Sequence, residues 1–174
     1  TMRSGRMSDL LAGLEALAFD VVLINQAPVR DSATSFIANK LAAQRVSLFG
    51  TPARIATDET LTGLLKRHPV ILPTTDSSVR TGFDALVDKL GVTPHIAAEI
   101  DDMAMLRLLA REDMGLAVLP PIVVRDELAE GSLLEADRLP GIEESFYAIT
   151  TQRQFPNPLL RDLLDQNFDP PVAN

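Results

Sequence analysis

The chain alternates short, predominantly apolar runs with segments in which apolar residues recur every three or four positions. The apolar runs lie at 20–24, 45–50, 70–73 and 115–119. Runs with little polar alternation are typical of parallel strands that are covered on both faces. Strands that alternate with helical patterns in this way predict an α/β fold with mainly parallel sheets.

Capping residues indicate where several helices begin and end. Ser8 is predicted to cap the first helix, and Ser77 or Ser78 to begin a helix that ends at Gly91. Asp101 or Asp102 is predicted to cap the next helix. The other predicted elements are a loop at 25–35, strands at 95–100, 132–137 and 145–151, and helices at 60–67, at 122–130 (ended by Gly131) and from Pro158 onward.

Composition excludes several classes of protein. The 174 residues carry 16 Lys and Arg against 24 Asp and Glu, a formal net charge of −8, which does not favour a surface that grips duplex DNA. The absence of cysteine excludes disulfides and thiolate chemistry and fits a cytoplasmic protein. No apolar run approaches the roughly 20 residues needed to cross a bilayer, and residues 1–7 do not look like a signal peptide, so we expect a soluble protein without a membrane anchor.

Motifs for catalysis, cofactors and metals are missing from the sequence. It contains neither a glycine-rich phosphate loop nor a GxSxG elbow, and neither His68 nor His95 has the spacing of a metal ligand. We therefore expect no enzyme activity, no cofactor and no metal site. An enzyme with a two-lobed cleft remains an alternative hypothesis, but the sequence offers no arrangement of a nucleophile and a base to support it.

Two adjacent carboxylate pairs are open to different interpretations. The pair Asp101 and Asp102 precedes an apolar helical stretch, so it caps a helix, or else forms the polar rim of a ligand cleft that suits a cation. The pair Glu143 and Glu144 follows Pro140 and Gly141, which predicts a solvated turn.

Residues 72–80 (LPTTDSSVR) place several hydroxyl groups between the end of a strand and the start of a helix. In open α/β sheets ligands bind beyond the carboxyl ends of the strands, where free helix amides hold small anions or polar groups. The alternative is that one serine caps the helix and the other residues only fill the turn. Pro120 and Pro121 end another strand and are expected to form an adjacent wall.

Three stretches in this order resemble the effector-binding domain of LysR-type transcriptional regulators. The stretches are 5–14 (GRMSDLLAGL) with 19–23 (FDVVL), 71–80 continued by Phe83, Gly91 and Pro94, and 115–120 (GLAVLP), where Met114 replaces the family's first glycine. Within that family, 72–77, 99–104 and 146–149 look like the branch named for the sodium/proton antiporter activator, the NhaR-like regulators.

The resemblance implies a two-lobed, type 2 periplasmic-binding-protein-like fold. Lobe I would comprise 1–57 and 151–174, lobe II would comprise 58–150, and the hinges would lie near Thr51 and Thr151. The first strand, helix and strand of lobe I would be missing from the chain. We expect the strand edge exposed by that loss to be covered by another chain, or the N-terminal region to be disordered or rearranged.

The resemblance also implies a ligand-sensing, oligomerising domain with a small molecule or ion bound between the lobes. The effector would control DNA binding by a winged helix-turn-helix domain outside this chain, in a dimer or tetramer. The alternative is a solute-binding module of a transport system with the same fold. The expected effector-binding residues are Ser8, Thr75, Ser77, Ser78, Asp101, Asp102, Met103 and Pro120.

Overall fold

A computed structural model of the chain describes residues 2–27, 36–55 and 59–152, together with Leu160. The helices in these ranges are α1 (Met7–Glu15), α2 (Leu61–Arg67), α3 (Ser78–Leu90), α4 (Met103–Arg111) and α5 (Arg125–Glu130), the last preceded by a 3-10 helix (Pro121–Val124). The strands are β1 (Val22–Ile24), β2 (Phe36–Gly50), β3 (Val70–Pro73), β4 (Ile96–Ile100), β5 (Leu116–Leu119) and β6 (Leu134–Thr151).

The six strands form one hydrogen-bonded sheet in the order β1-β6-β2-β5-β3-β4. Strand β3 pairs in parallel with β4 and β5, whereas β1 pairs antiparallel with β6, and β2 antiparallel with β5. The sheet is therefore mixed, and the α/β class predicted from the alternation of strands and helices is confirmed.

The chain divides into two compact units. The first unit consists of Thr1–Ala43 and Ser145–Asn174, and the second consists of Gln44–Glu144. Strands β2 and β6 contribute residues to both units, since each division falls inside one of them. The lobe limits at 57 and 151, and the hinges beside Thr51 and Thr151, stay a prediction.

The second unit has a buried core on each face of its sheet. Side chains of β5 alternate between the two cores, with Leu116 and Val118 in the first and Ala117 and Leu119 in the second. Helices α2 and α3 pack in the first core, and α4, the 3-10 helix and Leu128 of α5 pack in the second. Strand β5 has an unbroken apolar sequence because both of its faces are covered.

The first unit has a smaller core, formed by Leu14, Val22 and Ile149 with partly buried neighbours. The prediction of a parallel strand at 20–24, covered on both faces, is wrong. Strand β1 is antiparallel to β6, and Leu23 is 59% exposed. Only one face of β1 is therefore buried, the face on which Val22 packs against Leu14 of α1.

The C-terminal half differs from the prediction in two places. Strands predicted at 132–137 and 145–151 are parts of one long strand, β6, which continues through Pro140 and Gly141, and Gly141 adopts a left-handed φ of 75° within it. The solvated turn predicted around the second carboxylate pair is therefore wrong, and Glu144 is buried. The helix predicted at 122–130 is divided between the 3-10 helix and α5, and the one predicted after Pro158 lies outside the described residues except for Leu160, which is helical.

Candidate functional site at the carboxyl edge of the second unit

The carboxyl ends of β3, β4 and β5 lie at the same edge of the sheet, because the three strands are parallel. Pro73 is in register with Ile100, and the amide of Thr74 donates to the carbonyl oxygen of Ile100 at 3.2 Å. The segments that leave these strands, 74–78, 101–103 and Pro120, are therefore neighbours. We call this region the carboxyl edge.

The chain leaves the carboxyl edge toward opposite faces of the sheet. After β3 it enters α3, whose Val79 and Phe83 belong to the first core. After β4 it enters α4, whose Leu106 belongs to the second core, and after β5 it reaches Val124 in that same core. Strand ends whose connections diverge in this way are where α/β proteins bind ligands.

The 74–78 segment is a tight turn that ends in a capped helix. The Ser77 hydroxyl accepts a hydrogen bond from the Val79 amide at 3.2 Å, and the Ser77 amide donates to the Thr74 carbonyl at 3.0 Å. The predicted helix start at Ser77 is confirmed, and the hydroxyl of Ser77 is used by the cap. Thr75 and Ser78 are exposed and present their hydroxyls at the start of α3.

The acidic pair divides into a cap and an exposed carboxylate. Asp102 accepts a hydrogen bond from the Met105 amide at 2.8 Å and is the N-cap of α4, which confirms the capping interpretation for this residue. Asp101 is exposed beside it. Met103 is half-buried and packs against the second core, and Pro120 is buried at the end of β5.

Comparison with known families identifies the chain. The family described as LysR substrate binding domain matches residues 1–167. The chain belongs to this family. The match covers both compact units, and it agrees with the resemblance of the three stretches in the sequence.

Solved structures of LysR-type regulators share the fold. HinK of Pseudomonas aeruginosa is 23% identical with a TM-score of 0.74, covering 94% of this chain and 56% of HinK. DarR of Vibrio fischeri, solved in complex with DNA, is 14% identical with a TM-score of 0.71, covering 94% of this chain and 56% of DarR. The effector-binding domain of QuiR, in complex with shikimate, is 15% identical with a TM-score of 0.62, covering 92% of this chain and 77% of that domain. A search of curated proteins gives no match.

These findings confirm the type 2 periplasmic-binding-protein-like fold and the LysR family. The chain spans only a little over half of the full-length regulators, 56% in the case of HinK. Because this family consists of regulator domains, neither a transport module nor an enzyme is favoured. Within the described residues no group of three His, Asp or Glu side chains could hold a metal ion, and no described helix is long and apolar enough to cross a membrane.

Ser8, the one predicted effector residue of this LysR domain that precedes β1, lies in the first unit. The N-cap of α1 is Arg6, which has an extended backbone, so the prediction that Ser8 caps the helix is wrong. Helix α1 already includes Met7, and the exposed Ser8 hydroxyl donates to Asp9 Oδ1 at 3.4 Å. Its predicted role in effector binding is not tested by this geometry.

Sequence reasoning assigned no role to Arg80, which is buried behind the 74–78 segment. Its Nε donates to both carboxylate oxygens of Asp84 at 2.9 and 3.0 Å, and its Nη1 donates to the Pro73 carbonyl at 3.3 Å and to Glu99 Oε1. Burial works against the charge, but the hydrogen bonds that Arg80 donates to the two carboxylates outweigh it and raise the pKa of Arg80 above its ordinary value. The spacing of Arg80 and Asp84 could have indicated the ion pair within α3, whereas Glu99 is distant in sequence.

Proposed function

We propose that the chain is the effector-sensing, oligomerising domain of a bacterial LysR-type transcription regulator that acts in the cytoplasm. A small molecule or ion binds at the carboxyl edge and controls DNA binding by a winged helix-turn-helix domain outside this chain. The observation that carries the proposal is the meeting of three parallel strand ends at one edge, with exposed hydroxyl and carboxylate groups on the segments that follow them.

The effector acts by preferring one arrangement of the regulator over another. A ligand shifts such an equilibrium only by its difference in affinity for the two states. QuiR's effector-binding domain has been solved with shikimate, and DarR has been solved with DNA. The shared fold supports a sensing domain coupled to DNA binding in this protein.

The proposed binding residues are those that the sequence singled out. Seven belong to the carboxyl edge, and Ser8 lies in the first unit. They are Ser8, Thr75, Ser77, Ser78, Asp101, Asp102, Met103 and Pro120. Free amides at the start of α3 suit an anionic or polar group, whereas the exposed carboxylates suit a cation.

The finer assignment to the NhaR-like branch is part of the proposal. It rests on the likeness of segments 72–77, 99–104 and 146–149 to that branch. Two of these segments contribute to the carboxyl edge, and the third lies in β6. A monovalent cation such as Na⁺ or Li⁺ is the effector that this branch and the acidic pair favour.

We also propose that the domain self-associates as a dimer or tetramer. Strand β1 is at one end of the strand order, and Leu23 on it is 59% exposed. An exposed strand with an apolar side chain is a site where another chain can pair or pack. Sedimentation at several protein concentrations tests this, and a monomer at every concentration would contradict it.

A thermal-shift screen tests effector binding directly. The 174-residue chain is heated with small anions, with amino acids, and with NaCl or LiCl against KCl at equal ionic strength. A ligand at 100 times its Kd stabilises the folded state by about 2.7 kcal/mol. We expect at least one compound to raise Tm in the wild type and to lose most of this effect in Thr75→Ala or Asp101→Asn.

Equal shifts in the wild type and both variants would place binding elsewhere, and no shift with any compound would contradict the sensing role. The upstream reading frame separates the regulator from the transport alternative. A helix-turn-helix pattern supports the regulator, and a secretory signal supports a solute-binding module.

A further inference from the structure

Arg80 occupies a position where a buried cation is unfavourable without partners. It is the third residue of α3, where the positive end of the helix dipole opposes a cation, and it is only 8% exposed. Arginine is rarely buried to this extent unless it is paired. The contacts of Arg80 must therefore offset both costs.

Those contacts join three separate elements at the carboxyl edge. Asp84 is one turn further along α3, Pro73 is the last residue of β3, and Glu99 is the penultimate residue of β4. The guanidinium group can do this because its donors form a rigid planar fork, which a lysine ammonium lacks. One side chain thus ties the start of α3 to the ends of two neighbouring strands.

Arg80 contacts the residues that come just before each of the two segments of the proposed binding site. Pro73, held through its carbonyl, directly precedes the 74–78 turn, and Glu99 directly precedes Ile100 and the acidic pair. The only described backbone hydrogen bond from that turn to β4 runs from the Thr74 amide to the Ile100 carbonyl. Beyond the β3–β4 ladder, which ends at Pro73 and Ile100, this backbone hydrogen bond and the contacts of Arg80 are what the described residues add to hold the two segments together.

We propose that Arg80 is a positioning residue, which fixes the hydroxyl groups of the 74–78 turn relative to the carboxylates that follow β4. It touches no ligand itself in this proposal. The inference rests on the proposed function, because it assigns Arg80 a role in the same site.

Amide hydrogen exchange of the 174-residue chain without added ligand tests the proposal. The variant is Arg80→Lys, and the matched control is Arg107→Lys, which weakens the pairing of Arg107 Nε with Glu127 Oε1 on the other face of the sheet. The amides to follow are those of Thr74 and Ser77 in the turn. The Leu116 amide, which donates to the Pro69 carbonyl at the amino ends of the strands, is the internal reference.

We expect Arg80→Lys to speed exchange at Thr74 and Ser77 by about tenfold, since charged hydrogen bonds are lost, and to leave Leu116 nearly unchanged. Arg107→Lys should not affect the turn amides in this way. Glu99→Gln should give a smaller acceleration at Thr74, because the amide oxygen still accepts a hydrogen bond. Because the side chain of Glu99 is half-exposed, Glu99→Gln is a second variant that is expected to fold.

Equal acceleration at Thr74 and Leu116 in Arg80→Lys would show a general loss of stability and overturn the proposal. Faster exchange of the turn amides in Arg107→Lys would also overturn it. So would unchanged exchange of these amides in both Arg80→Lys and Glu99→Gln. Faster exchange of the turn combined with no ligand response in the thermal-shift screen would contradict the proposed function and leave the positioning role of Arg80 intact.

Discussion

Asp102 has two separable roles, as the cap of α4 and as a carboxylate of the proposed binding site. Replacing it with alanine removes the hydrogen bond from the Met105 amide to Oδ1, which is 2.8 Å long. Loss of an N-cap side chain costs about 1 kcal/mol, which lowers Tm by roughly 2–4 °C in a chain of this size. Asparagine retains the oxygen acceptor, so Asp102→Asn should cost only a few tenths of a kcal/mol.

The assay is thermal unfolding of the wild type and both variants, with and without a compound that stabilises the wild type. If the effector is a cation, Asp102→Asn should keep the unliganded Tm and lose most of the ligand-induced rise. Thr60→Ala is the matched control. It removes the N-cap bond that Thr60 accepts from the Gly63 amide at 3.2 Å and lies outside the proposed site.

Two outcomes would contradict the two separate roles of Asp102. A loss of stability in Asp102→Asn as large as that in Asp102→Ala would mean that the cap depends on the charge and not only on the acceptor. A full ligand response in Asp102→Asn together with a reduced one in Thr60→Ala would mean that the carboxylate does not contribute to binding. In either case the separation of the two roles would fail.

Three further predictions concern backbone geometry and pH. Leu17→Gly should raise the free energy of unfolding by about 1 kcal/mol in a denaturant titration, because Leu17 is exposed and has a left-handed φ of 61° that glycine adopts without strain. Gly115→Ala should lower it by about 3 kcal/mol, since the added Cβ would lie 2.6 Å from the Pro69 carbonyl oxygen, and an unchanged value would contradict the close packing of these segments. The hydrogen bond from Thr51 lowers the pKa of Asp113 below its ordinary value of 3.8, so the stability that Asp113 contributes is complete above that value and is lost as the pH falls through the lower, folded-state pKa. Asp113→Asn should therefore destabilise the chain at pH 6 and converge with the wild type in acid, and a difference that stays constant with pH would contradict this.

Local signals predicted the strands and the helix starts that meet at the carboxyl edge. Strands β3 and β5 are apolar along their length because both faces are buried, and such runs are visible in a single sequence. Ser77, Asp102 and Gly91 begin or end helices through contacts within a few residues of themselves. Features that depend on near neighbours in the chain are those that the sequence can reveal.

Features that depend on distant partners were missed or misjudged. The run at Val22 resembles a covered parallel strand, but the sequence does not show that its neighbour is the antiparallel β6 or that Leu23 remains exposed. The Pro140 and Gly141 pair has the composition of a turn, yet β6 continues through both residues. The contact between Arg80 and Glu99 depends on the pairing of β3 with β4, which the sequence does not show.

An amide-resolved NMR titration of the 174-residue chain, with a compound that raises its Tm, tests whether an effector binds at the carboxyl edge. We expect the largest chemical-shift changes at the amides of Thr75, Ser78 and Met103, on the segments that follow the parallel strand ends. Changes confined to other parts of the chain, with these amides unaffected at saturation, would contradict an effector site at the carboxyl edge.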